Sequence, residues 1–250
     1  MKHNNNINTV SFLGTQRLTL WQLICLSALS MPVAMVGLVL VTFIPTYYAT
    51  EMGLGLGAVG AVFVFGRLLD VVTDPLIGYY SDQTQSRLGP RIPWMAIGLP
   101  GFCIAVWLLF VPPENVSLLY LICASGLYFL FYTVLDIPYS SIGLEISPYL
   151  HERSVIASFK ALFQVLGALS AAMIPLFFVA KTGLSLTFTA KAVFVFSILG
   201  ISLFLIFVPR RNRIITAPHN VFVTSLKIAW ASRPYRYLIG SFLIVQTANS

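Results

Sequence analysis

The run Gly66-Arg67-Leu68-Leu69-Asp70-Val71-Val72-Thr73-Asp74-Pro75-Leu76-Ile77-Gly78 places one arginine and two aspartates in a stretch otherwise apolar enough to cross a bilayer. A charged side chain at the membrane centre costs at least about 2.5–3.5 kcal/mol on insertion scales, so charges kept there imply a task. Arg67, Asp70, Asp74 and Gly78 step by three, four and four residues and share one helix face. Two desolvated carboxylates one turn apart repel when both are ionised, so the pair calls for a proton, a sodium ion or a neighbouring cation. That is the chemistry of a coupling site, where an arriving cation changes the local charge and biases which conformation is stable. Arg67, one turn from Asp70, is placed to act as internal counter-ion when the cation leaves. The structural alternative is an ion-pair cluster that only ties this helix to its neighbours.

Other polar side chains fall within or beside apolar stretches. Asp136, in Thr133-Val134-Leu135-Asp136-Ile137-Pro138-Tyr139, is a lone acid with Pro138 freeing a backbone carbonyl nearby. It reads as a hydrogen-bond acceptor for a solute, or as a partner for Arg67 or Lys160. Thr133, one turn away, can offer a hydroxyl to a cation. Lys160 can pair with Asp136, reach an anionic or hydroxylated solute, or extend to the interface. Glu145 falls near a membrane boundary and reads as a gating or interfacial residue. Asp82, in the polar run Ser81–Arg91, can accept hydrogen bonds from Arg87 or Arg91, so these three read as a cytoplasmic latch; topology determination by the two arginines is the simpler alternative.

These residues need helices to hold them, and the composition supplies helices of one kind. Hydrophobic residues make up 58% of the chain and charged residues 9%, against about 25% charged in a soluble domain. Mean hydropathy is +0.86. A polytopic helical membrane protein follows. The net charge of +7 does not indicate nucleic acid, because the bases sit in short segments between apolar runs. Cys25, Cys103 and Cys123 lie inside apolar segments without CxxC pairing, and His3, His151 and His219 form no metal cluster. No metal site and no cofactor are expected.

Six apolar spans are expected at about Leu20–Tyr48, Ala58–Tyr80, Trp94–Val111, Ser117–Tyr139 (extending towards Ile146), Ser154–Ala180 and Ala190–Val208. The expected organisation is a cytoplasmic N-terminal segment (1–19), a six-span half (20–208), a cytoplasmic central loop (209–236) and a truncated seventh span (237–250). Met1–Thr19 is polar and Asn-rich, and no cleaved leader is expected. With the N-terminus inside, eleven of the fifteen lysines and arginines are cytoplasmic, only Lys181 and Lys191 are outside, and Arg67 and Lys160 lie within spans. That asymmetry sets the orientation by the positive-inside rule. Half of a twelve-span transporter plus its central loop is therefore expected, with the C-terminal half as the missing partner; a six-span protein that dimerises is the alternative.

The pattern Arg67-x-x-Asp70-x-x-x-Asp74-Pro75-x-x-Gly78, then Ser81-Asp82-x-Thr84-x-x-Arg87-x-Gly89-x-Arg91-x-Pro93-Trp94, then Asp136-Ile137-Pro138-Tyr139, then Glu152-Arg153, resembles the glycoside–pentoside–hexuronide:cation symporter family, the melibiose-permease-like branch of the major facilitator superfamily. The resemblance runs over about Leu54–Gly167. It implies a secondary active transporter that carries a sugar or other small organic solute with Na⁺, H⁺ or Li⁺ by alternating access. It also implies a cation site at Asp70, Asp74 and Thr133, and solute contacts at Asp136, Lys160 and Ser140. The departures are specific. Ser140 stands where the family pattern has a tryptophan, Lys160 where it has an arginine, and Thr73 where it has an asparagine. The span-1 region Ser30–Met35 lacks the family's sugar-binding aspartate. The coupling machinery resembles the family more closely than the sugar contacts do, and related branches are similar to lysolipid symporters.

An intramembrane aspartyl protease is the enzyme alternative, but its Tyr-Asp and Gly-x-Gly-Asp motifs do not occur. A half-protein without transport activity of its own is the other alternative. Nothing resembles a channel filter. The expected location is the cell membrane, multi-pass. A tag placed after Arg213 is expected to be shielded from impermeant labels in intact cells; labelling from outside would reverse the orientation.

Overall fold

The computed structural model describes residues 18–84, 86, 89–146, 150–177, 182–207, 237 and 241. The chain divides into two units, Met1–Asn212 and Arg213–Ser250, and the elements below all belong to the first. The expected N-terminal segment, central loop and seventh span fall almost wholly outside the described residues. The elements are α1 (Leu20–Ser27), α2 (Ser30–Thr42), the single turn α3 (Ile44–Thr46), a π-helical turn Tyr47–Glu51, α4 (Leu56–Gln83), α5 (Ile92–Phe110), α6 (Leu118–Glu145), α7 (Leu150–Phe177) and α8 (Thr182–Phe207). Counting α1 and α2 as one rod, six helices among the described residues are long and apolar enough to cross a membrane. Large apolar side chains such as Val64, Leu68, Val71, Leu166 and Leu169 are exposed, the surface expected of helices that face lipid rather than water.

The first rod is interrupted where the sequence suggests one continuous span. Thr19 starts α1 with a capping box: its hydroxyl accepts from the Gln22 amide at 3.3 Å while its own amide donates to Gln22 Oε1 at 3.0 Å. The rod then breaks at Ala28–Leu29, where the Met31 amide bonds to the Ala28 carbonyl at 3.2 Å, one residue short of the α pattern. Pro32 has no amide hydrogen to restore the register. Tyr139 from α6 fills the gap. Its hydroxyl donates to the Leu26 carbonyl at 2.7 Å and shares a hydrogen bond with the Ser30 hydroxyl at 2.8 Å.

Two other helices start before the ends read from composition. α8 begins at Thr182 rather than Ala190 and α7 at Leu150 rather than Ser154, while α6 continues through Pro138 to Glu145, in line with the extension expected towards Ile146. Hydroxyl side chains explain the first two. Ser154 donates to the Leu150 carbonyl at 3.0 Å, Ser158 to Ser154 at 2.9 Å, and Thr189 to Ser185 at 2.9 Å. Each hydroxyl is satisfied by its own helix, so polar residues do not end it. At the other end of α5, the carbonyls of Leu108 and Leu109 accept from the hydroxyls of Tyr120 and Tyr48, both at 2.8 Å. Those bonds meet the need of carbonyls that have no partner within the helix.

The packing has a regular pattern. The α1–α2 rod packs on α7 and α8, as α6 packs on α4 and α5, and α5 packs on α8. Exchanging the first three spans with the last three maps these pairings onto themselves, although α7 also packs on α8 where α4 and α5 have no contact of that extent. Close approach depends on small residues, as in membrane helix pairs generally. A Cβ on Gly98 of α5 would lie 2.9 Å from the Leu135 amide nitrogen of α6, and one on Gly167 of α7 would collide with the Met31 carbonyl of α2. Gly98→Val is expected to destabilise the bundle by about 1–3 kcal/mol, read as a lower unfolding temperature in detergent. An unchanged temperature would show that the two helices have room to separate.

Candidate functional site

α4 carries Arg67, Asp70 and Asp74 on the face that meets α6, and α6 brings Thr133 and Asp136 to them. Gly66 permits this contact, because the Phe129 ring occupies the space a side chain there would need. Arg67 Nη1 lies 3.7 Å from Asp70 Oδ2, with the arginine side chain 63% exposed and the aspartate 13%. The guanidinium also sits 5.7 Å from the centre of the Phe129 ring. Two oxygens at this junction are buried without a hydrogen-bond partner, Asp70 Oδ1 and Thr133 Oγ1. The Thr133 hydroxyl is near enough to Asp70 and Asp74 to act on the charge of both. Leaving a buried oxygen unpaired costs about 1–3 kcal/mol, which a small cation among these oxygens would recover. Thr73 does not join them, since its hydroxyl donates to the Leu69 carbonyl of its own helix at 3.1 Å.

Asp136, one turn beyond Thr133, has the Ser140 hydroxyl and the Lys160 charge as neighbours. Lys160 makes no direct salt bridge to it. Its Nζ lies 3.8 Å above the centre of the Tyr139 ring and 3.4 Å from the Tyr139 carbonyl oxygen. Lysine suits this position because a compact ammonium can rest on a ring face and donate to one oxygen. Tyr139 therefore touches both ends of the arrangement, its ring under Lys160 and its hydroxyl in the break of the first rod. Nothing in the local spacing of Tyr139 signals this double role.

A cavity of about 170 Å³ opens beside Arg67, lined by Val33, Ala34, Gly37 and Leu40 of α2, Tyr128, Phe129 and Tyr132 of α6, and Gln164 of α7. The solute residues expected from sequence, Asp136, Lys160 and Ser140, do not line it. The residues that do were missed, although a signal existed. Tyr128, Tyr132 and Asp136 recur every four residues, and Gln164 follows Lys160 by four, so each set shares a face.

At the far end of α4, Arg91 is buried and holds two carboxylates. Its Nη2 is 2.8 Å from Asp82 Oδ1 and 2.6 Å from Glu145 Oε1, and its Nε donates to Glu145 Oε2 at 3.0 Å. Glu145, read as gating or interfacial, is thus the bidentate partner of the arginine and joins the end of α6 to the start of α5. Trp94 Nε1 donates to the Thr84 hydroxyl at 2.8 Å across the same turn. Arg87, the other expected latch residue, lies outside the described residues. Glu152 sits buried in the first turn of α7, where the helix dipole favours it.

Residues 25–248 match the MFS/sugar transport protein family. The chain is 31% identical over 126 residues to the inner membrane symporter YicJ of Escherichia coli, covering 49% of this chain and 27% of that protein. It is 31% identical over 132 residues to the putative glycoside/cation symporter YagG of the same organism, covering 51% and 29%. It is 25% identical over 163 residues to the sodium-dependent lysophosphatidylcholine symporter 1 of Xenopus tropicalis, covering 64% and 31%. The matched stretches thus span less than a third of each relative's length.

Arg91→Ala removes three charge-assisted contacts and is expected to lower stability by about 1–3 kcal/mol, with Arg91→Lys recovering only part because an ammonium cannot engage Glu145 through two parallel bonds. Thermal unfolding of the two variants side by side checks this, and equal melting of both with the parent would dismiss the cluster as a structural tie.

Proposed function

The chain belongs to the MFS/sugar transport protein family, a family of transporters rather than enzymes, and on that premise we propose that its six helices form one half of a cation-coupled symporter. In this reading Asp70, Asp74 and Thr133 hold the coupling cation, Na⁺ or H⁺. The observation that carries it is the pair of buried, unpartnered oxygens, Asp70 Oδ1 and Thr133 Oγ1, beside two carboxylates one turn apart. A carboxylate pair with a third oxygen from another helix meets the needs of a hard monovalent ion, and protonation of one carboxylate meets the same electrostatic demand. The relatives named sodium-dependent and glycoside/cation symporters support coupling of this kind.

Arg67 takes the place of the cation when it is absent, since it stands near Asp70 and is loosely held. Cation binding releases it, which changes the charge that the α4–α6 face presents to the cavity. Asp136, Ser140 and Lys160 form the polar floor next to it and contact the solute as the second half closes. The Asp82–Arg91–Glu145 cluster holds the inner ends of α4, α5 and α6 together in one state and opens in the other. The basic segments between spans face the cytoplasm. The solute is a sugar or another small organic molecule that crosses by alternating access, with the wall of the path completed by a second six-helix half.

Asp74→Asn in a transport-competent form of the protein is expected to abolish cation-driven accumulation while leaving the protein inserted in the membrane. Undiminished uphill uptake would remove Asp74 from the coupling site. The 250-residue chain alone is expected not to transport in liposomes, and robust uptake by it would favour a functional dimer.

A further inference from the structure

The cavity beside the cation site has walls of two kinds. Its α2 wall, Val33, Ala34, Gly37 and Leu40, offers no hydrogen-bonding side chain. Its α6 wall is aromatic, with Tyr128 and Tyr132 stacked at 5.9 Å between ring centres. A solute with many hydroxyls would need a partner for each one it withdraws from water, because an unpaired buried hydroxyl costs about what a good hydrogen bond returns. The α2 wall offers none, and the partners in the lining are confined to Tyr128, Tyr132, Gln164 and Arg67 on the opposite side. An apolar ring meets no such penalty against the α2 wall, and a cavity of about 170 Å³ is small enough to fit one ring closely.

Arg67 is the charged residue of the lining. Its side chain is 63% exposed, and its nearest carboxylate contact, at 3.7 Å, exceeds hydrogen-bonding distance. Its planar fork of donors is therefore available to the cavity, and that fork matches a carboxylate through two parallel bonds. Charge balance favours the same ligand. In formal charges Arg67, Asp70 and Asp74 together sum to one negative, while Asp136 and Lys160 cancel. A monovalent cation brings the set to neutrality, and a carboxylate arriving on Arg67 returns it to the starting value. Cation and anion loaded together leave the net charge of this membrane interior unchanged, whereas either alone shifts it by one. Each therefore strengthens the binding of the other, by the same factor.

Resting on the cation site proposed above, we propose that this cavity takes an organic monoanion with an apolar, ring-sized body, its carboxylate received by Arg67 and its ring lying along the Tyr132 and Phe129 wall, loaded one-for-one with the coupling cation. The probe is benzoate, titrated by calorimetry into the 250-residue chain in lipid nanodiscs, against benzamide and glucose. Benzoate is expected to bind at least tenfold tighter than benzamide, and glucose to bind more weakly than either. Arg67→Gln is expected to bring benzoate down to the benzamide level, and Arg67→Lys to keep part of the difference. Sodium in place of choline, or a lower pH for a proton site, is expected to tighten benzoate and leave benzamide unmoved. Equal binding of benzoate and benzamide, tighter binding of glucose, absence of benzoate binding, or benzoate affinity that survives Arg67→Gln would each overturn the proposal. A carboxylate preference that persists without any cation effect, in the parent and in Asp74→Asn alike, would keep the anion cavity and overturn the one-for-one loading along with the cation site. Cation-dependent stabilisation through Asp74 without a carboxylate preference would do the reverse.

Discussion

Two like charges held about 6 Å apart repel by about 3 kcal/mol even at an effective dielectric constant of about 20, and Asp70 and Asp74 sit one helical turn apart in a helix long and apolar enough to cross a membrane. The surrounding architecture follows from this constraint. α4 must present the pair to another helix rather than to lipid, so α6 comes close over Gly66 and sets Phe129 against it. α6 must also bring an uncharged oxygen to the pair, and Thr133 does so from a position where its hydroxyl has no other partner. Arg67 supplies a compensating charge that is not locked in place. A tight salt bridge would stabilise one state and hinder exchange, whereas a contact at 3.7 Å leaves the arginine free to change partners.

Tyr139 extends the arrangement to the rest of the bundle. A broken helix in a membrane leaves backbone groups that water cannot reach, and the break at Ala28–Leu29 is made tolerable by a hydroxyl from α6 at 2.7 Å. The ring of the same residue carries the Lys160 charge. Lys160, the break in the first rod and the helix that bears Thr133 and Asp136 are thereby joined through one side chain. Movement of the first rod cannot leave the environment of Lys160 unchanged.

The spans and the charged residues within them were legible because hydrophobic length and charge within it are properties of short windows. Arg67, Asp70 and Asp74 announce themselves by type, and their helical spacing is local. The helix ends at Leu150 and Thr182 were obscured by serines and threonines that resemble loop residues in composition and bond to their own helix in an apolar setting. Glu145 as the partner of Arg91, and Lys160 over Tyr139 rather than against Asp136, depend on which helices touch, and no single-chain spacing encodes that. The cavity wall was hidden for a related reason. Val33, Ala34 and Gly37 are unremarkable in any membrane helix, and only their position opposite Arg67 and Tyr132 gives them meaning.

The exchange symmetry of the helix contacts bears on how the two trios have diverged. In that mapping the helix with Arg67, Asp70 and Asp74 corresponds to the helix with Lys160 and Gln164, and the broken first rod corresponds to the continuous helix that contains Pro138. Deep in its apolar stretch each second member thus carries a basic residue, Arg67 or Lys160, but only α4 sets two acids one turn apart. Two acids on one helix and an amide, Gln164, on its counterpart convert a near-symmetric pattern of helix contacts into a polar axis across the bundle.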